Sequence, residues 1–106
     1  MAQSSDPPQA YKDFIQRFPK LETAWSQVHE AGHEGPLDGR AQRLIKLSIA
    51  IGAMREGAIR ASVRKAIRQG IGAEELYQVV ALAAGTLGFP STVAVHSWIK
   101  KVLEET

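Results

Sequence analysis

The chain has 106 residues, of which 44% are hydrophobic and 23% are charged, so its length provides for one hydrophobic core but not two. The sequence contains no cysteine, which excludes disulfides, thiolate metal ligands and thiol redox chemistry. A formal net charge of +2 is too small an excess to argue for a nucleic-acid partner by itself.

The N-terminal third predicts a tail followed by two helices. Residues 1–8 are polar and rich in proline, so we expect a flexible tail, and residues 9–106 are expected to form one helical domain. Apolar residues recur at helical spacing from Gln9 onwards, which predicts the first helix. Pro19 ends this helix or begins the next, and the second helix runs into a loop that contains Gly35 and Pro36.

The rest of the chain predicts four more helices. Residues 39–54 are apolar on nearly all sides, which is typical of a helix that is buried or shared between subunits. Residues 56–69 form a clearer amphipathic helix that Gly70 closes, and residues 73–87 form a helix rich in small side chains. Pro90 starts the last helix. No segment alternates as a strand does, so the predicted fold class is an all-α bundle of five or six helices.

The apolar residues also predict the oligomeric state and the cellular location of the protein. Two tryptophans and a helix that is apolar on nearly all sides supply more apolar surface than one small domain buries, so we expect a homo-oligomer. The longest nearly apolar stretch, residues 45–54, is too short for a bilayer span, and the first ten residues are polar. We therefore expect a cytoplasmic protein without a membrane partner.

Residues 42–90 contain a series of helices and turns that resembles a known superfamily. An apolar helix is followed by a break at residues 55–57, a helix that ends at Gly70, a turn before residues 74–76, and a small-residue helix that closes at residues 88–90. This order and spacing resemble the carboxymuconolactone decarboxylase and alkyl hydroperoxidase D superfamily. The resemblance implies an alkyl hydroperoxidase D-like bundle that assembles as a trimer or hexamer. We expect no cofactor.

Superfamily members that reduce peroxides carry Cys-x-x-Cys-x-x-x-His at the start of the second of these helices, with a Glu upstream. The matching positions here hold Arg43, Arg55, Ala58 and Ser62. Because the attack on a peroxide needs a thiolate, thiol peroxidase activity is excluded.

The decarboxylase branch, which also lacks the cysteines, is a better match. Its pattern resembles Arg-x-x-Glu-Leu-x-x-His-Val-Arg, and residues 55–64 of this chain read REGAIRASVR. Both terminal arginines are kept, whereas Ala58 stands at the Glu position and Ser62 at the His position. The frame is therefore retained while two acid–base groups are replaced.

This resemblance implies a hypothesis for an active site. The reaction would be acid–base chemistry on a small carboxylate or lactone, which needs a proton donor and cations that hold carboxylates. The candidate catalytic residues are Glu56 and His96, which would donate or accept protons, and Ser62, which would form a hydrogen bond. The candidate substrate-binding residues are Arg55 and Arg60.

A competing interpretation is a non-catalytic oligomeric or ligand-binding protein that keeps this fold without its active site. It is favoured by the replacement of all four peroxidase positions and of two decarboxylase landmarks. Arg60, Arg64 and Arg68 also recur at a spacing that is typical of a solvated helix face.

Two further patterns are typical of other functions, but neighbouring residues argue against each of them. Residues 29–33 match the His-Glu-x-x-His zinc signature, but Gly32 lies inside it and the helix is expected to end there, so we expect no metal site. The turn at Gly70 has the spacing of a helix-turn-helix, but residues 73–87 offer almost no side chains that read bases, so we expect no nucleic-acid partner.

Overall fold

The computed structural model describes residues 8–106, and helices make up most of this range. In chain order they are α1 (Gln9–Arg17), α2 (Pro19–His33), α3 (Gly39–Gly52), α4 (Glu56–Arg68), α5 (Ala73–Leu87) and α6 (Phe89–Glu105). No strand occurs between residues 8 and 106, which confirms the predicted all-α fold class. The predicted tail at residues 1–8 lies outside the described residues except for Pro8. No helix within the described range is long and apolar enough to cross a membrane.

The first of two compact units ends at Pro36 and contains α1 and α2. Pro19 stands in the first turn of α2, where its missing N–H group would have had no helical partner. Neither helix has a buried residue. The apolar side chains of this unit instead line a groove of about 440 Å³, formed by Tyr11, Phe14, Ile15, Leu21, Ala24, Trp25 and Val28.

The second unit begins at Leu37 and packs α3 to α6 around one core. Asp38 caps the N-terminus of α3 by accepting a hydrogen bond from the backbone N–H of Ala41 at 2.8 Å. The predicted amphipathic character of α4 is confirmed, because Ile59 and Val63 are wholly buried. The largest fully buried side chains come from all four helices: Leu47, Ile51, Ile59, Val63, Leu76, Val95, Ile99 and Val102.

The connections on either side of α4 fix where this helix begins and ends. Met54, in the turn before it, has a φ of 54°, a left-handed conformation that is uncommon outside glycine. At the other end Gly70 has a φ of 84°, and the backbone N–H of Ile71 donates to the carbonyl of Ala66 at 3.0 Å. This closing turn was predicted from the sequence, and the adjacent Ile71 is buried in the core.

Candidate functional site

Arg43 on α3 contacts Ser62 on α4 and Gln69, the residue directly after that helix. Its Nη1 donates to Oγ of Ser62 at 3.4 Å, and its Nε donates to Oε1 of Gln69 at 3.1 Å. Gln69, directly after the end of α4, in turn donates from Nε2 to the backbone carbonyl of Gly39 at 3.4 Å. Ser62 is buried and Arg43 is partly buried. These bonds hold the first half of α3 against α4.

Three other cations lie near enough to Arg43 for their charges to act on one another. Lys65 lies on the same stripe of α4 as Ser62 and Gln69, because residues three and four positions apart share a helix face. Lys46 follows Arg43 by one turn on α3, and Arg68 follows Lys65 by one turn on α4. Together they form what we call the cationic cluster, which consists of Arg43, Lys46, Lys65 and Arg68.

The cationic cluster has no acidic partner within residues 8–106. All ion pairs seen in that range use other cations, namely Arg40–Glu75, Arg60–Glu56, Arg64–Glu105 and Lys100–Glu104. Peroxide-reducing members of the superfamily carry a Glu at the position on α3 where this chain has Arg43. The cluster is therefore a local excess of positive charge at the edge where α3 meets α4, with Lys65 and Arg68 exposed.

Partial burial and repulsion between like charges lower the pKa of two members of the cationic cluster, Lys65 and Arg43. The pKa of Lys65 is lowered by loss of hydration first and then by the positive charges of Arg43, Lys46 and Arg68. The pKa of Arg43 is lowered by the same loss of hydration and by Arg68. An anion between these side chains would relieve this repulsion.

The lowered pKa of Lys65 predicts that the folded protein gains stability as the pH rises towards the ordinary pKa of lysine. Lysine in an unfolded chain titrates near its ordinary value of 10.5, and the folded protein releases that proton at a lower pH. Between the two pKa values the unfolded state binds more protons, so the free energy of unfolding rises with pH. Urea unfolding at a series of pH values should show a shallower rise for Lys65→Gln than for wild type. An equal slope in Lys65→Gln, or the same flattening in the control Lys100→Gln, would contradict this account.

Two residues of the sequence-predicted site pair with each other on the outer face of α4. Oε2 of Glu56 accepts from Nε of Arg60 at 2.9 Å and lies 2.7 Å from Nη2 of the same residue. Arg55 is exposed and immediately precedes the helix. Ser62 lies six positions beyond Glu56, which places the two side chains on different sides of α4.

His96 lies in a different part of the second unit. It is exposed on α6, and its ring centroid is 5.3 Å from that of Tyr77 on α5. Both rings line an open, largely apolar groove of about 350 Å³ along α5 and α6. In the described part of the chain, no hydrogen bond or ion pair joins Glu56, Ser62 and His96 to one another. The structure thus brings Ser62 to Arg43, and it leaves Glu56, Ser62 and His96 in different parts of the second unit.

Lys46, Lys65, Arg68 and Gln69 were not predicted as site residues from the sequence. One signal for them was present, because Lys65 and Gln69 follow Ser62 by three and seven positions on one helix. Arg43 was recognised only as the replacement of a Glu. Its contact with Ser62 means that two positions of the superfamily's reactive set are still neighbours here.

The two histidines of the zinc-like motif lie on the last turn of α2, where both are exposed. Their Nε2 atoms are 3.0 Å apart. Across the described residues, no group of three or more His, Cys, Asp or Glu side chains is arranged to hold a metal ion.

Comparisons with known proteins give one family and one fold. The family model described as the carboxymuconolactone decarboxylase family matches residues 19–101. The chain is also similar in structure to the apo form of a carboxymuconolactone decarboxylase family protein from Legionella pneumophila, with a TM-score of 0.81 and 23% sequence identity. That similarity covers 91% of this chain and 87% of the other. No curated protein matches the chain.

Proposed function

Because the chain belongs to the carboxymuconolactone decarboxylase family, we propose that it binds a small organic carboxylate at Arg43 and Ser62. The observation that carries this proposal is the hydrogen bond of 3.4 Å between the Arg43 guanidinium and the buried Ser62 hydroxyl. Peroxide-reducing relatives place a Glu and a His at these two positions. A Glu and a His at these positions can transfer a proton. A guanidinium and a neutral hydroxyl group at the same positions can instead bind an anion.

The chemistry of the two side chains suits a carboxylate. A guanidinium has five N–H donors in a planar fork. Arg43 uses one on Ser62 and one on Gln69, which leaves three for a ligand. Hydrogen bonds between a guanidinium and a carboxylate are charge-assisted, and partial burial strengthens their electrostatic part.

A second candidate function is acid–base catalysis on a carboxylate or lactone. Glu56 and His96 would be the proton donors or acceptors, with Ser62 as a hydrogen-bonding partner and Arg55 or Arg60 as the anion anchor. The retained family frame and the position of His96 beside an open groove support this proposal. The ion pair between Glu56 and Arg60 weakens it, because the carboxylate is already engaged.

The predicted trimer or hexamer also remains a proposal. It is supported by large apolar side chains that stay exposed on the second unit. These include Ile49 on α3, Leu82 on α5, and Phe89 and Val93 on α6, each at least 65% exposed. Surface of this kind is typical of an interface between proteins.

The binding proposal is tested by titrating the isotope-labelled protein with butyrate and following backbone amide resonances. We expect saturable shifts around residues 43 and 62 in wild type. Arg43→Gln should weaken butyrate binding roughly tenfold or more, because a hydrogen bond to a charged group is worth about 1.5–3 kcal/mol. The control Arg60→Gln removes a guanidinium that already has a partner, so it should bind as wild type does.

Equal affinity in Arg43→Gln and wild type, or no saturable shift at all, would contradict the binding proposal. The same samples serve for the catalytic candidate, since any turnover of a lactone can be measured in Glu56→Gln and His96→Ala. Unchanged turnover in both variants would remove these residues from the mechanism.

A further inference from the structure

The histidine pair at the end of α2 has no part in the proposed function. From the sequence we expected no metal site at residues 29–33, because Gly32 was expected to end the helix inside the motif. In the structure α2 continues to His33, so His29 and His33 lie on one face of an intact helix, about one turn apart. Both residues are exposed to solvent.

The two ring nitrogens are spaced as neighbouring ligands of one metal ion are. Their Nε2 atoms are 3.0 Å apart, and the ring planes make an angle of 75°. Nitrogen ligands at about 2.05 Å from a metal ion lie about 2.9 Å apart at a right angle and about 3.3 Å apart at the tetrahedral angle. The observed spacing therefore fits two adjacent corners of a square-planar or octahedral site better than two corners of a tetrahedron.

We propose that His29 and His33 bind a divalent transition-metal ion through both Nε2 atoms, with Cu²⁺ as the preferred ion. Imidazole is a common metal ligand, and Cu²⁺ combines tetragonal geometry with the highest affinity among the divalent first-row ions. The chain contains no cysteine, so no thiolate of its own competes for the ion. The pair belongs to the first unit, whereas Arg43 and Ser62 belong to the second, so metal binding can be tested apart from carboxylate binding.

Metal binding replaces the contact that the two rings make with each other. Two neutral imidazoles at this distance share one N–H group, which one Nε2 donates to the lone pair of the other. A metal ion needs the lone pairs of both Nε2 atoms. The donating ring therefore changes to the tautomer with its proton on Nδ1, and the ion binds with no net release of a proton.

The remaining coordination positions belong to water or to a ligand from solution. Among residues 8–106, no third His, Cys, Asp or Glu side chain joins the pair to hold a metal ion. A catalytic zinc centre has three protein ligands, so the proposed site differs in kind from the centre that the His-Glu-x-x-His pattern is typical of. It is an exposed, two-ligand site on the surface of α2.

Trp25 provides a local readout of metal binding at this pair. It lies about one turn before His29 on α2 and is 60% exposed, and side chains four positions apart on a helix are neighbours. Cu²⁺ quenches the fluorescence of a nearby indole. The substitution Trp98→Phe leaves Trp25 as the one tryptophan of the chain. We expect Cu²⁺ to quench it saturably with one ion per chain, whereas Mg²⁺, which prefers oxygen ligands, should not.

Three variants in that background separate the pair from single histidines. His29→Gln leaves one imidazole, and we expect Cu²⁺ affinity to fall about a hundredfold, because the second ligand no longer acts within the same chain. Ala31→His/His33→Ala keeps two histidines but separates them by about 200° around α2, so it should lose as much. His96→Gln removes the remaining histidine and should bind as the parent does. Unchanged affinity in either α2 variant, or an equal loss in His96→Gln, would overturn the proposed site.

Electron paramagnetic resonance of the Cu²⁺ complex tests the geometry in the wild-type chain. We expect a tetragonal spectrum with coupling to two imidazole rings. A spectrum with one coordinated imidazole would overturn binding through both histidines. A spectrum typical of tetrahedral distortion would overturn the assignment of the two nitrogens to adjacent corners of a tetragonal site.

Discussion

Replacing Arg43 with glutamate is expected to weaken carboxylate binding strongly, while relief of the repulsion among the neighbouring cations offsets the loss of the hydrogen bonds to Ser62 and Gln69. The new side chain would lie among Lys46, Lys65 and Arg68 and would pair with them, so it relieves the repulsion that now exists there. A ligand carboxylate would meet a negative charge in place of a guanidinium. We expect affinity for butyrate to fall about a hundredfold or more, since a charged hydrogen bond is lost and a repulsion is added.

The same substitution at Arg60 is the matched control. Arg60→Glu places a like charge one turn from Glu56, which should cost a few tenths of a kcal/mol in stability without changing butyrate affinity. Butyrate titration and urea unfolding of both variants measure the two effects. Retained binding in Arg43→Glu, or an equal loss in Arg60→Glu, would show that Arg43 does not hold the ligand.

The second prediction with a large expected effect concerns the hydrophobic core of the second unit. Ile59 is wholly buried in the core of the second unit, on the helix that packs against both α3 and α6. Ile59→Ala should lower the free energy of unfolding by about 2–5 kcal/mol through lost burial and the cavity left behind. Native globular proteins have a free energy of unfolding of about 5–15 kcal/mol, so this substitution would remove much of the stability. Equilibrium unfolding in urea checks the value.

Ile49 offers the same chemical change on the surface of α3, where the side chain is 65% exposed. Ile49→Ala should cost about 0.5 kcal/mol or less in a dilute monomer. In the proposed oligomer other copies could cover this residue, and the cost would then rise with protein concentration. Equal costs for Ile49→Ala and Ile59→Ala at every concentration would contradict the burial difference between the two residues.

The helices could be predicted from the sequence because their signals are local. The predicted range of 56–69 compares with Glu56–Arg68 in the structure, and Gly70 closes the helix with the expected left-handed turn. Periodic apolar residues and a terminal glycine act over one or two turns, so the chain itself records them. The family model and the similar fold confirm the superfamily resemblance.

The site was harder to predict because its contacts join distant parts of the chain. Arg43 meets Gln69 across 26 positions, and no periodic pattern marks that pair. Charged residues on a helix surface look alike in a sequence, whereas in the structure Arg60 and Arg64 of α4 have acidic partners and Lys65 of the same helix has none within the described residues. The pairing of Glu56 with Arg60, by contrast, follows from a spacing of four residues. The catalytic roles of Glu56, Ser62 and His96 remain predictions.

The Arg43 guanidinium already donates hydrogen bonds to Ser62 and Gln69, so in the proposed site it is oriented before a carboxylate binds. A long, rotamer-rich side chain normally loses conformational entropy when it orders around a ligand, and this guanidinium has already undergone much of that ordering. Affinity then depends on how rigidly Gln69 anchors the fork, although Gln69 need not touch the ligand. Changes at the end of α4 could thus adjust ligand retention while the recognition chemistry stays the same.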